Sequence, residues 1–167
     1  MNFRRAFGAG ALGAVVMSFL MAVGRYAGMT ELNLEMGLGS MITMTINSGT
    51  WVVGLVVHLI AGGIVGLIYA AVFEHVARGA TAGLGGAFGA IHSAISGVLL
   101  MMMPAVHPLM STTPGVGQLQ APGPFGISYG LATAAAFVIL HIIYGAIVGG
   151  AYVVRPKHRV MEIPRAA

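Results

Sequence analysis

The sequence predicts an all-α fold, a polytopic membrane four-helix bundle, and three observations predict it. Charged residues are only 7% of the 167, where a soluble domain carries about a quarter. Hydrophobic residues are 57% and the mean hydropathy is +0.91. Glycine is 26 of 167 without the three-residue period of collagen, which suits helices that pack closely in lipid. The missing residue types exclude whole classes of chemistry. Cysteine and aspartate are absent, so disulfides, thiolate metal sites, iron–sulfur clusters, Ser-His-Asp triads and aspartic dyads cannot form. The four glutamates, Glu31, Glu35, Glu74 and Glu162, are too scattered for a carboxylate-bridged di-iron site.

Charge-free stretches mark the spans within one integral membrane domain, residues 1–167. A helix needs about 20 apolar residues to cross the hydrocarbon. Between Arg5 and Arg25 there is room for one span, residues 7–24. The gap from Glu35 to Glu74 is too long for one helix, and the polar run Thr43 to Thr50 sets the second span at 51–73. Met36 to Thr50 then reads as a loop or interfacial segment in an outer connection, 25–50. The third and fourth spans are 80–103 and 126–154, separated by an irregular outer loop, 104–125, rich in proline.

With four spans, Arg4, Arg5, Arg78, Arg155, Lys157, Arg159 and Arg165 fall on one side, and only Arg25 on the other. By the positive-inside rule both termini are cytoplasmic. The net charge of +4 is thus that of helix ends beside anionic lipid and calls for no nucleic acid. Asn2 to Arg5, the apolar stretch and Ala22-Val-Gly24 also fit a signal peptide. A retained span fits better, because the stretch is long, part of it is echoed later, and four spans balance the charges.

A two-helix unit is written twice. His58 to Tyr69 and His141 to Tyr152 share His, Ile, Gly, Ile, Val, Gly and Tyr at a constant offset, and His75 aligns with His158. Gly10 to Val15 echoes Gly86 to Ile91 more weakly. Together these predict two tandem helical hairpins related by a pseudo-twofold axis along the membrane normal. At about 100° per residue, His58, Gly62, Gly66 and Tyr69 lie on one side of their helix, as do His141, Gly145, Gly149 and Tyr152. The GxxxG pairs Gly62/Gly66 and Gly145/Gly149 let backbones approach closely, so these stripes, with Tyr69 and Tyr152, are expected to be packing faces.

His58, His92 and His141 lie 14 to 16 residues from the cytoplasmic charges of their helices. At ~1.5 Å per residue they form one layer in the outer half of a ~30 Å core. Intramembrane ionisable residues are functional candidates because they are costly in hydrocarbon without partners. One reading is a cofactor site, a b-type haem on His58 and His141 or a Cu, Zn or Fe centre that includes His92. The other is interhelical hydrogen bonding to Tyr69, Tyr144, Tyr152, Ser93 or Ser96. Met101, Met102, Met103 and Met110 beside His107 form a second set able to recruit soft copper, although methionine is also an ordinary apolar residue. Arg25, Glu31 and Glu35 are expected to pair with each other or with a partner chain, and His75 and His158 to be solvated.

The basic start, Asn33-Leu-Glu35 followed by Leu38-Gly-Ser40, the doubled H-x3-G-x3-G-x2-Y and His107-Pro108 resemble a family of small bacterial four-span membrane proteins. The resemblance implies the four-span fold and brings no activity or ligand with it. Three functions compete. The first is a non-enzymatic accessory or structural subunit of the bacterial inner membrane, packed against other membrane subunits or a second copy. The second is a haem- or metal-binding redox or metal-handling protein using the histidine layer. The third is a transporter or channel, disfavoured because no span carries a carboxylate or a proline break. The accessory subunit is the reading adopted, with the histidine-layer protein as the alternative.

Overall fold

Helix α1 runs Phe3–Tyr26 and begins where Asn2 accepts a hydrogen bond from the Arg5 amide. The same device starts the next three helices in this computed structural model, which describes residues 1–152 and residue 154. Asn33 caps α2, Leu34–Thr43, through the Met36 amide; Asn47 caps α3, Ser48–Val72, through Thr50; Thr81 caps α4, Ala82–Met102, through Leu84. Helix α5, Leu131–Ala151, follows Gly130 at φ 101° instead. Arg155, Lys157, Arg159, Arg165, His158 and Glu162 lie outside the described residues.

Four helical stretches are long and apolar enough to cross a membrane: Phe3–Tyr26, Ser48–Ala77, Ala82–Ala105 and Leu131–Ala151. Their ends differ from the sequence reading for local reasons. The second begins at Ser48 because Asn47, inside the polar run, is a cap. The fourth begins at Leu131, five residues late, because Phe125 and Gly126 take φ 55° and 78° in a short 3-10 segment, Pro124–Tyr129. Of Met36 to Thr50, read as a loop or interfacial segment, the first part belongs to the short helix α2, Leu34–Thr43. The Pro-rich connection holds only a 3-10 turn, Met103–Ala105, and a two-residue parallel pairing of β1, Met110–Ser111, with β2, Leu119–Gln120.

One end of the bundle gathers the start of α1, the end of α3, the start of α4 and the end of α5. There Arg5 Nε donates to the Ala151 carbonyl at 2.7 Å, and Tyr152 donates to the Glu74 carboxylate while accepting from the Asn2 amide. Arg4, Arg5 and Arg78 make this the arginine-bearing end. The far end holds α2 and the Pro-rich connection.

Residue sizes are distributed inside out relative to a soluble domain. Phe19, Ile64, Ile68, Ile91, Ile95 and Ile139 face outward, whereas Ala6, Gly10, Ala14, Gly62, Gly66, Gly85, Gly89, Gly145 and Gly149 are buried. A methyl on Gly66 would stand 2.8 Å from Gly10 Cα, and one on Gly149 2.9 Å from Gly85 Cα. Helix α1 therefore meets α3, and α4 meets α5, backbone to backbone. Such contacts supply van der Waals attraction where lipid supplies no hydrophobic drive between helices. Helix α2 lies against α3 in the same way, with Gly39 on Thr50 and Gly54 on the Glu35 backbone.

Candidate functional site

His58 stands on α3 one turn after Gly54 and one turn before Gly62, so the stripe that packs on α1 and α2 also aims it inward. Its Nδ1 lies 2.9 Å from Ser18 Oγ of α1. His92 on α4 has Nδ1 3.4 Å from the Tyr69 hydroxyl of α3. His141 on α5 has Nδ1 2.7 Å from the Phe137 carbonyl, one turn back on its own helix. A carbonyl only accepts, so Nδ1 carries the hydrogen there and Nε2 the lone pair.

The three histidines belong to one layer. The His92 and His141 rings meet edge to face at 4.9 Å between centroids, and His58 and His141 line a common cavity of about 20 Å³. Tyr144 bridges the helix pairs by donating to the Gly62 carbonyl at 2.6 Å, with its ring against Gly13. Toward the arginine-bearing end the layer gives way to a cluster of aromatic rings, mostly edge to face. Tyr69 packs on Phe73 and Phe88 at 5.9 and 6.3 Å, and Phe73 on Tyr152 at 6.4 Å.

Glu35, a residue the sequence placed in an outer connection, is only 1% exposed and lines the same cavity. It comes there because residues 27–33 fold back into the bundle. Thr30 accepts from Thr133 at 2.6 Å, Leu32 is buried, and Arg25 Nη1 holds both the Leu32 carbonyl and Glu35 Oε2, at 3.2 and 3.4 Å. Glu35 Oε1 has no hydrogen-bond partner among the described residues. The expected Arg25–Glu35 pairing is therefore present, while Glu31 is exposed. Ser18, Phe137 and Tyr144 complete the site. Ser18 carried a usable signal, since it sits in an apolar span on the face of Gly10 and Ala14.

A porphyrin does not fit between His58 and His141. Their cavity holds about 20 Å³, against ~300 Å³ or more for a ligand of drug size, and the glycine stripes beside them are filled by partner backbones. The methionine and His107 set is divided. His107 is 3% exposed and both ring nitrogens are engaged: Nδ1 accepts from the Leu109 amide at 3.1 Å, so Nε2 carries the hydrogen and donates to Gly37 at 2.9 Å. That tautomer leaves no free lone pair for a metal. Met103 and Met110 pack near Gly37, while Met101 and Met102 are exposed. Among the described residues no three His, Cys, Asp or Glu side chains are grouped to hold a metal ion.

The packing residues sit as follows. Gly62 and Gly66 touch α1, Gly145 and Gly149 touch α4, Tyr69 reaches His92, and Tyr152 reaches Glu74. His75 is exposed. No protein-family model, curated protein or solved structure matches this chain, so its function is read from the site itself.

Proposed function

We propose that this chain is a non-enzymatic integral protein of a bacterial inner membrane, with both termini cytoplasmic, that serves as an accessory subunit of a larger membrane assembly. One observation carries the reading: the glycine stripes and one nitrogen of each layer histidine are spent on contacts within the bundle, with Ser18, Tyr69 and the Phe137 carbonyl as partners. His58 and His92 then act as polar glue between helices, and His141 satisfies its ring within α5, rather than the three forming a cofactor cradle. The arginines at one end, opposite Arg25, support the orientation.

Two tandem hairpins are part of the same proposal. Gly66 meets Ala6 and Gly10 as Gly149 meets Thr81 and Gly85, so the glycine contact of α1 with α3 recurs between α4 and α5. A further small-residue run, Gly83, Ala87, Ala90 and Ala94, is exposed on α4 at helical spacing and offers a partner subunit a face of the same kind.

The test is purification in mild detergent. The expected product is colourless, carries no stoichiometric Cu, Zn or Fe, and elutes with a second polypeptide that cross-links to Ala87→Cys. His141→Gln is expected to be tolerated far better than His141→Leu, at about 1 kcal/mol for the lost contact. A Soret band, or stoichiometric metal that disappears in His141→Gln, would overturn the proposal in favour of a redox or metal-handling protein.

A further inference from the structure

We propose that the cleft at the arginine-bearing end, between residues 78–81 and the end of α5, seats the headgroup of one anionic phospholipid with its phosphate on Arg78. The proposal rests on the membrane-spanning reading of the helices and stands whether or not a partner subunit exists.

The first observation is position. Residues 78–81 join the apolar stretches Ser48–Ala77 and Ala82–Ala105, and Tyr152 and Val154 follow the last stretch, Leu131–Ala151. Together with Gly149 and Gly150 of α5 they line one cleft of about 460 Å³. Where spans leave the hydrocarbon, the lipid headgroups begin. The volume falls within the ~300–1,000 Å³ of small-ligand pockets.

The second observation is chemical: the side chains free to meet a ligand there are donors. Arg78 is exposed and has no carboxylate partner among the described residues. Thr81 Oγ1 accepts from the Leu84 amide at 3.1 Å, which leaves its hydroxyl hydrogen for a ligand oxygen. The Tyr152 hydroxyl is taken, since it donates to Glu74 and accepts from the Asn2 amide. Glu74, the one acidic residue described at this end, is not part of the lining. A donor-lined cleft without a carboxylate selects an anion, and a guanidinium matches phosphate oxygens in pairs. The sequence adds charge of the same sign, because Arg155 directly follows Val154, with Lys157 and Arg159 beyond it. Basic clusters at the end of a span attract anionic lipid.

The rest of the lining favours a lipid over free phosphate. Ala80, Val154 and the bare glycines are of little use to a hydrated inorganic anion. They suit the glycerol backbone and the first methylenes of an acyl chain, which gain van der Waals contact there.

The backbone supplies a clean variant. Arg78 takes φ 54°, in the left-handed region that glycine enters without steric cost. Arg78→Gly therefore removes the guanidinium while easing the turn. Native mass spectrometry of the full chain, from detergent containing equal phosphatidylglycerol and phosphatidylcholine, tests the proposal. One phosphatidylglycerol is expected to stay bound per chain in preference to phosphatidylcholine, and excess inorganic phosphate should not displace it. Arg78→Gly should lower that retention about fivefold, the worth of one basic group beside anionic lipid, and Arg78→Lys should keep most of it. Arg155→Gln with Lys157→Gln and Arg159→Gln should leave the effect of Arg78→Gly in place. Retention indifferent to Arg78→Gly overturns the proposal. Displacement by inorganic phosphate overturns it in favour of a soluble anion, and loss of the Arg78→Gly effect in the triple variant overturns it in favour of the chain after Val154. Equal retention of the two lipids by the unaltered protein overturns it too, and that measurement requires no variant to fold.

Discussion

Gly145 is a residue whose missing side chain is the contact. A methyl there would stand 2.9 Å from the Gly89 amide nitrogen, and neither backbone can yield without parting α4 from α5. Gly145→Leu is expected to cost 1–3 kcal/mol or more, at about the scale of overpacked cores, read as loss of folded protein in graded denaturing detergent. His107→Leu makes a different test, because it strands the Leu109 amide and takes one donor from the Gly37 carbonyl, which keeps the Ser40 hydroxyl. We expect a loss of about 1–3 kcal/mol, with no dependence on added copper. Tyr129 supplies a pH test outside the spans. Burial first, and the Glu31 charge second, push its phenol above the ordinary value near 10, and its hydroxyl donates to the Gln120 carbonyl at 2.9 Å. The folded state therefore holds this proton more tightly than the unfolded chain. Its contribution is complete below about pH 10 and fades as pH rises through the folded value, which an absorbance titration against Tyr129→Phe will report. The three layer histidines were legible in sequence because an imidazole among apolar residues stands out whatever the fold. Glu35 was not, because its burial depends on residues 27–33 turning back, a tertiary event with no local periodicity.

Helix α2 shows the same limit one level up. Ten residues are too few for a span, and the glycines at 37 and 39 look like a loop until Gly39 is seen against Thr50. Its start was nevertheless written locally, since Asn33, Asn47 and Thr81 each precede a helix as a side-chain cap. Hydropathy alone set the second span at Trp51 and overlooked the Asn47 cap three residues earlier. Gly39→Val is expected to detach α2 from α3. Amide exchange across 34–43 should rise several-fold and the emission of Trp51, the one tryptophan, should shift, while the amides of α4 and α5 stay protected. Unchanged exchange in α2 would mean that Gly39 does not hold it.

For the whole molecule, the placement of charges predicts sidedness. Gly115→Cys and His75→Cys should react with impermeant thiol reagents from opposite faces of the membrane, and labelling from one face would break the four-span topology. In α3 and α5 His, Gly and Tyr recur 83 residues apart in the sequence. In α1 and α4 the sequence echo pairs Gly10 with Gly86, whereas the contacts pair it with Gly85, because small residues of any register look alike in a glycine-rich helix. The aromatic cluster of Tyr69, Phe73, Phe88 and Tyr152 has a bioenergetic consequence. An ion at the histidines would meet packed rings toward the arginine-bearing end, so the bundle is expected to insulate. About 2.3 kcal/mol per charge is stored across each 100 mV of membrane potential, and a leak here would drain it. Vesicles containing the protein should hold an imposed pH gradient as long as empty ones, whereas Phe73→Ala with Phe88→Ala should let it collapse faster.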